Sequence, residues 1–331
     1  MDSNLPLVSI VMPCWKEKKF ISQCLDSIIA NDYPKDRLEL LIGDGMSEDG
    51  TREIIKNYSQ RYPFIKFFDN PPKTIPIAQN IGVKNAKGEI IMIMDAHSNY
   101  QYDYISKCVK YLKEYNADNV GGIMITVPRE NNFLGKAIAI AMSNPFGAGD
   151  AYFRTGLKKP KQVDTVTFGC YKKDVFEKIG FFNEKIERGF EVDLNLRLRK
   201  AGGKIFLFPD IVSYYYIRTN IKDFLKHNFL NGFWITYHLR FAAKVCAWRH
   251  LVPLAFVSSL IGSGVLAFFF SPFRWLLMII LILYFLTNIY FSFRISRREK
   301  NLKYLFVLPN IFVMHHISYG LGSIWGLLNL L

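Results

Sequence analysis

From residue 7 to about 125, short wholly apolar runs alternate with stretches in which apolar side chains return at helical spacing. Leu7 to Met12 is such a run, closed by Pro13, and predicts a strand. Phe20 to Ala30 places Ile21, Leu25, Ile28 and Ile29 on one face and predicts a helix. The same pattern gives strands at Leu38 to Ile42, Ile65 to Phe68 and Ile90 to Met94. Helices are expected at Thr51 to Tyr62, Ile77 to Ala86 and Tyr104 to Tyr115. Alternating β and α units of this length predict an α/β domain with a mainly parallel, helix-covered sheet.

Residues 126–165 break the alternation. Pro128, Asn131-Asn132, Pro145, Gly147, Gly149, Gly156 and Pro160 punctuate them around an apolar, helix-like stretch at Phe133 to Met142. A mobile cover over an active site is the expectation, with disorder as its alternative. The regular pattern returns with a strand at Val166 to Cys170 and helices at Lys173 to Ile179 and Glu191 to Ala201. Gly202-Gly203 ends the last of these, and Lys204 to Phe208 reads as a final strand.

After Thr219 aromatic and cationic residues interleave at helical spacing from Ile221 to Trp248, which fits an amphipathic helix lying in a headgroup region. A helix packed on the preceding domain is the other reading. Three apolar stretches follow, at about 251–270, 275–293 and 304–331, each long enough to cross a bilayer. Pro309 and the pair His315-His316 interrupt the third. The expected division is therefore a catalytic domain over 1–219, an interfacial helix region over 220–250 and a transmembrane region over 251–331.

Composition sharpens this outline. Half the chain is apolar and 15% aromatic, and the formal net charge is +14. Such a charge fits nucleic acid, anionic lipid or an anionic substrate. Two basic clusters, Arg240 to Arg249 and Arg294 to Arg298, flank apolar spans, which favours lipid and argues against a nucleic acid polymer. By the positive-inside rule the arrangement leaves the catalytic part on the cytoplasmic face of a multi-pass membrane protein. Asp2 to Leu5 lead straight into an apolar strand, in keeping with a cytosolic start. The five cysteines (Cys14, Cys24, Cys108, Cys170, Cys246) show no metal-binding spacing and read as free thiols in a reducing compartment.

The candidate chemistry sits where strands end. Ligands of open α/β sheets bind beyond the carboxyl ends of strands, and two acidic turns fall there. One is Asp44 to Thr51, the other Asp95-Ala96-His97. Asp44 suits a hydrogen bond to a base or ribose, whereas Asp49 reads as a structural N-cap. Asp95 and His97 suit a hard cation bridging a diphosphate, and one carboxylate plus one imidazole suits Mn²⁺ better than Mg²⁺. Glu191 and Asp193 open a helix; they are either partners of the helix dipole or the source of a general base. Arg197 and Arg199 either contact phosphates or pair with acids. Arg154, in Tyr152 to Gly156, is a candidate grip on an anionic donor or acceptor.

These segments in this order resemble the family-2 glycosyltransferases, which have a GT-A (nucleotide-diphospho-sugar transferase) fold. The resemblance runs from about Leu7 to Val212. It rests on Val8 to Glu17, Asp44 to Thr51, Ala78-Gln79-Asn80-Ile81-Gly82, Gly88 to His97 and Asp193 to Gly203. Asp95-Ala96-His97, Phe153-Arg154-Thr155-Gly156 and the apolar tail look most like membrane enzymes of bacterial exopolysaccharide assembly, of the succinoglycan glucosyltransferase type. The resemblance implies inversion at the sugar carbon and a hexosyltransferase using a UDP-sugar or related donor. It also implies Pro13, Trp15, Glu17, Asp44, Lys73 and Asn80 around the nucleotide, with Asp95 on the metal. Two positions depart from the family pattern. His97 stands where a second Asp is usual, and Glu191 stands where the base is usually Asp.

The expected function is transfer of a sugar from a nucleotide diphosphate to a polyprenyl-linked acceptor, assisted by Mn²⁺ or Mg²⁺. Glu191 would act as base, Arg154 and Arg197 as phosphate contacts. A processive polysaccharide synthase is the nearest rival, but the Gln-x-x-Arg-Trp signature of such enzymes is missing from the sequence. A polyprenyl-phosphate sugar synthase is another, and an inactive donor-binding scaffold is the rival from a different class.

Overall fold

The computed structural model describes residues 5–241 and 247–330. The expected alternation is present: β1 (Val8–Cys14), α1 (Ile21–Ile29), β2 (Leu38–Asp44), α2 (Thr51–Arg61), β3 (Ile65–Asp69), α3 (Ile75–Asn85), β4 (Ile90–Ile93). Next come β5 (Ser98–Tyr100), α4 (Tyr104–Glu114) and β6 (Asn119–Pro128), then α5 (Phe133–Met142) and the short helices α6 (Pro145–Ala148) and α7 (Tyr152–Thr155). The catalytic-type pattern resumes with β7 (Lys161–Gln162), β8 (Cys170–Lys172), α8 (Asp174–Ile179), α9 (Phe190–Lys200) and β9 (Ile205–Ile217). The chain ends with α10 (Ile221–Tyr237), α11 (Trp248–Leu266), α12 (Ser271–Arg298) and α13 (Lys303–Leu328).

The strands make one sheet in the order β3-β2-β1-β4-β8-β6-β9-β5, with β7 also on β9. β1 lies parallel to β2 and β4, and β2 parallel to β3, so the first half is a doubly wound parallel sheet. β8 joins β4 antiparallel, and β5 and β7 join β9 antiparallel. β1 and β2 are apolar along almost their whole length because helices cover both faces. One of those helices, α3, comes unusually close to the sheet: a methyl group on Gly82 would approach Val11 Cγ1 to 2.4 Å, and one on Gly43 would meet Ala78 Cβ at 2.8 Å. The Ala78 to Gly82 motif is thus a packing motif. The helix can lie that near only because Gly82 has no side chain.

Several expectations change. β5 and β7 have no apolar run to announce them, since edge and antiparallel strands carry mixed sequence, and β6, whose Ile123 to Val127 is largely apolar, adds a strand the alternation did not separate out. The strand expected at Val166 to Cys170 lies instead at Cys170–Lys172, sharing only Cys170, and Phe168 takes a left-handed φ of 50°. β9 continues well past Phe208, to Ile217. Gly50, at φ 99°, is the N-cap of α2 rather than Asp49, whose carboxylate instead accepts from Thr51 Oγ1 at 2.6 Å.

By its contacts the chain forms two compact units, Met1–Ile125 with Gly156–Tyr216 and Thr126–Thr155 with Ile217–Leu331. Residues 126–155, expected as a mobile cover, therefore pack with the C-terminal helices. Ala137, Ile138, Ala141 and Met142 of α5 share a core with Phe224 of α10 and Leu308, Ile311 and Phe312 of α13. His315 Nε2 and His316 Nε2 meet the carbonyl oxygens of Gly147 and Phe146, each at 2.8 Å. α10 lies against α13, where a methyl on Gly232 would come within 2.0 Å of Tyr319 O. Part of the Arg240 to Arg249 cluster, together with Cys246, lies outside the described residues. α11, α12 and α13 are each long and apolar enough to cross a membrane. α12 runs on through Arg294 to Arg298, beyond the apolar stretch expected at about 275–293, and α13 continues through Pro309.

Candidate active site

β1 and β4 are neighbours, yet the chain leaves β1 toward β2 on one side and reaches β4 only after crossing back. In open α/β sheets such a reversal is where ligands bind, beyond the carboxyl ends of the two strands. Two segments emerge there. Beyond β1 come Trp15, Lys16 and Glu17; beyond β4 come Asp95, Ala96 and His97. They meet: His97 Nδ1 lies 3.1 Å from Glu17 Oε1.

Each of these side chains is held by its neighbours. The Asp95 backbone N–H donates to Tyr100 Oη at 2.8 Å, and the Cys24 thiol donates to the Asp95 carbonyl at 3.3 Å. β9 supports the histidine: Tyr216 N–H donates to the His97 carbonyl at 3.2 Å, and the Tyr215 ring lies 5.0 Å from the imidazole. Neither tyrosine stands out in the sequence, because their role exists only once β9 pairs with β5. The first β-to-α loop is tied to the second acidic turn. Lys16 N–H donates to Ser47 Oγ and Glu17 N–H to Thr51 Oγ1, both at 2.9 Å.

The fourth member is Glu191, in the first turn of α9. It feels the Asp95 carboxylate, and burial first and Asp95 second push its carboxyl up to about 8. Burial also raises the Asp95 carboxyl, against the opposing influence of His97 and with a further push from Glu17. Glu17, Asp95 and His97 thus lie together, with Glu191 close enough to feel the Asp95 carboxylate, and burial keeps both raised carboxyls in a setting that disfavours their charge. Among the described residues no three His, Cys, Asp or Glu side chains are arranged as a ready metal cage. Asp95 and His97 offer one oxygen and one nitrogen, which fits a cation that takes its remaining ligands from a diphosphate.

Other expected residues are spent differently. Asp44 is fully buried; it accepts from Ser47 N–H at 3.2 Å and from Arg52 Nη1 at 2.9 Å, and Arg52 also pairs with Asp69. Asn80 gives its amide to Phe182 O at 2.9 Å and Glu184 Oε1 at 2.8 Å and accepts from Phe182 N–H at 3.0 Å, so it fastens the loop before α9. Asp193, expected beside Glu191 as a catalytic group, is buried against Arg197 Nε at 3.0 Å. Arg197, expected on a phosphate, also donates to Phe181 O at 2.7 Å. This pair clamps the 179–181 turn to α9. Pro13 lies within β1 opposite Gly43, and Lys73 sits exposed on the turn after β3 at φ 59°. Trp15 is about half exposed (48%), with a ring that a methyl on Gly45 would touch. Arg154 belongs to α7 in the other compact unit.

The family model for glycosyl transferase family 2 matches residues 9–180, more than half the chain. The chain belongs to this family. Among curated members, a Methanococcus voltae dolichyl N-acetyl-α-D-glucosaminyl phosphate 3-β-D-2,3-diacetamido-2,3-dideoxy-β-D-glucuronosyltransferase is 30% identical, across 68% of this chain and 71% of that protein. The succinoglycan biosynthesis protein ExoA of Rhizobium meliloti (strain 1021) is 27% identical, across 77% and 84%. Among solved structures, the mannosyltransferase PcManGT of Pyrobaculum calidifontis, in complex with GDP-Man and Mn²⁺, superposes with a TM-score of 0.62 at 17% identity. It covers 98% of this chain and 88% of that one, a likeness that gives the fold, a GT-A domain followed by C-terminal helices. This family-2 chain is accordingly a glycosyltransferase and, with its three long apolar helices, a membrane protein.

Proposed function

We propose that this glycosyltransferase moves a sugar, with inversion, from a nucleotide diphosphate, a UDP-sugar by preference, to an acceptor carried on a polyprenyl phosphate or diphosphate. The observation that carries the reading is the meeting of Glu17, Asp95, His97 and Glu191 at the carboxyl ends of β1 and β4. Glu191 takes the proton from the acceptor hydroxyl. In its ionised form, a carboxylate whose proton affinity is raised to about 8 is a stronger base than an ordinary one, and base assistance of this kind is worth about 10²–10⁴ in rate. The acceptor oxygen then bonds to the anomeric carbon while the carbon–oxygen bond to the diphosphate breaks, its electron pair leaving with the phosphate. Asp95 and His97 would hold a divalent cation, Mn²⁺ or Mg²⁺, which would supply positive charge to the leaving diphosphate. Trp15 and Lys73, exposed beyond the carboxyl ends of β1 and β3, would face the nucleotide. The lipid acceptor is motivated by the dolichyl phosphate named for the Methanococcus relative and by the three spans, which keep the enzyme where such lipids reside. A cytoplasmic catalytic unit follows from the basic residues flanking the spans.

The test is transfer of label from a panel of nucleotide sugars into butanol-extractable lipid, using membranes that contain the wild type or Glu191→Gln. One donor should label lipid; chelator should abolish it, and the variant should lose at least about 10²-fold while still binding donor. Label in insoluble polymer would replace this reading with a processive synthase. Donor binding without any transfer would leave a scaffold.

A further inference from the structure

We propose that Glu17 is a positioning residue for the cation: its carboxylate holds the His97 ring so that Nε2 is the nitrogen turned to the metal. The inference rests on the reading of Asp95 and His97 as the cation-binding pair, and it moves Glu17 away from the nucleotide contact expected of it.

The geometry is that of an anchored carboxylate on an imidazole. Glu17 Oε1 and His97 Nδ1 are 3.1 Å apart, with only 11% and 21% of the two side chains exposed. The Glu17 backbone is fixed from both sides. Its N–H donates to Thr51 Oγ1 at 2.9 Å, and its carbonyl accepts from Phe20 and Ile21 N–H groups, each at 2.9 Å. The carboxylate therefore starts from a rigid base at the head of α1. On the other side, Tyr216 N–H holds the His97 carbonyl and Tyr215 packs on the ring, which limits its rotation.

With its Nδ1 set 3.1 Å from a carboxylate, the imidazole favours carrying its proton on Nδ1 and its lone pair on Nε2, so the close contact selects the ligating tautomer. The carboxylate also raises the basicity of Nε2, and losing such a partner costs about 10–100-fold in metal affinity. That support compensates for the histidine at position 97. A neutral imidazole neutralises less of a cation's charge than a carboxylate, and Glu17 returns a negative charge to the site one bond network away.

The experiment uses the full chain in detergent, with Mn²⁺ alone and Mn²⁺ plus UDP as probes. Titration gives the affinity, and pulsed electron paramagnetic resonance reads the ¹⁴N coupling of a coordinated imidazole. The wild type should show that coupling, and His97→Ala should lose it. Glu17→Gln should bind Mn²⁺ about 10-fold more weakly with an altered ¹⁴N coupling, while UDP binding in chelator stays unchanged. Glu17→Asp, which keeps the charge with a shorter reach, should fall between the two and serves if the glutamine variant does not fold. An unchanged Mn²⁺ affinity and ¹⁴N signal, with UDP binding lost in chelator, would make Glu17 a nucleotide contact and overturn the inference alone. A wild type that binds no Mn²⁺ with or without UDP would remove the cation reading itself, and the inference with it.

Discussion

Glu191 carries an ordinary carboxyl into surroundings that disfavour its charge, so its proton is coupled to folding. The native state holds that proton up to about pH 8, whereas an unfolded chain releases it near 4.5. Between those values the native state binds more protons than the unfolded one, so stability must fall as pH rises and level off above about 8. The loss is roughly 3 kcal/mol after allowance for the residue's partial solvent access. Denaturant unfolding in chelator across that range should show the slope, and Glu191→Gln should remove it. A slope unchanged in the variant would place the coupled proton elsewhere. At this scale Asp95, His97 and Glu191 could be singled out by sequence alone, because acidic residues directly after a strand or at the head of a helix are visible as such. It misled for Asn80, Asp193 and Arg197. A side chain's type does not say whether its hydrogen bonds go to a ligand or to a turn such as 179–181, and that depends on which distant backbone groups arrive beside it.

Among the elements, the pairing of α10 with α13 is the most exacting. Their backbones approach so closely that a methyl on Gly232 would lie within 2.0 Å of Tyr319 O, and one on Gly322 within 2.0 Å of Phe229 O. Close approach through small residues is the usual basis of helix association in membranes. Alanine improves helix propensity over glycine by about 1 kcal/mol, so Gly232→Ala would stabilise an unpacked helix. Here the clash should win, and overpacking of this kind costs about 1–3 kcal/mol. The melting temperature of the detergent-solubilised protein should therefore drop in this variant, and a rise would mean that the two helices are not in contact. The amphipathic pattern of Ile221 to Tyr237 predicted a helix but not its partner. Aromatic and cationic residues at helical spacing serve an interface with lipid and an interface with another helix alike.

For the whole molecule, the choice is between a protein held at the membrane by charge and one held by apolar spans. A charge of +14 alone would bind anionic lipid through a term that screening weakens. α11, α12 and α13 instead bring helices long and apolar enough to cross, α11 and α12 with little of their surface buried within the protein. Alkaline carbonate and high salt should therefore leave the chain in the membrane pellet, with only detergent releasing it. Release by salt would make the attachment peripheral.

The alternation of apolar runs and helical periodicity determined the α/β order, the parallel half of the sheet and the three helices long and apolar enough to cross a membrane, since each depends on side-chain patterns read over neighbouring residues. The acidic ends of β2 and β4 were legible for the same reason. Tertiary structure alone decided that residues 126–155 belong with the C-terminal helices, because Ala137 and Phe312 meet only after the intervening chain has folded. It also decided that Glu17 meets His97. Eighty positions of sequence separate the two, and only the neighbouring, parallel placement of β1 and β4 brings their side chains within 3.1 Å.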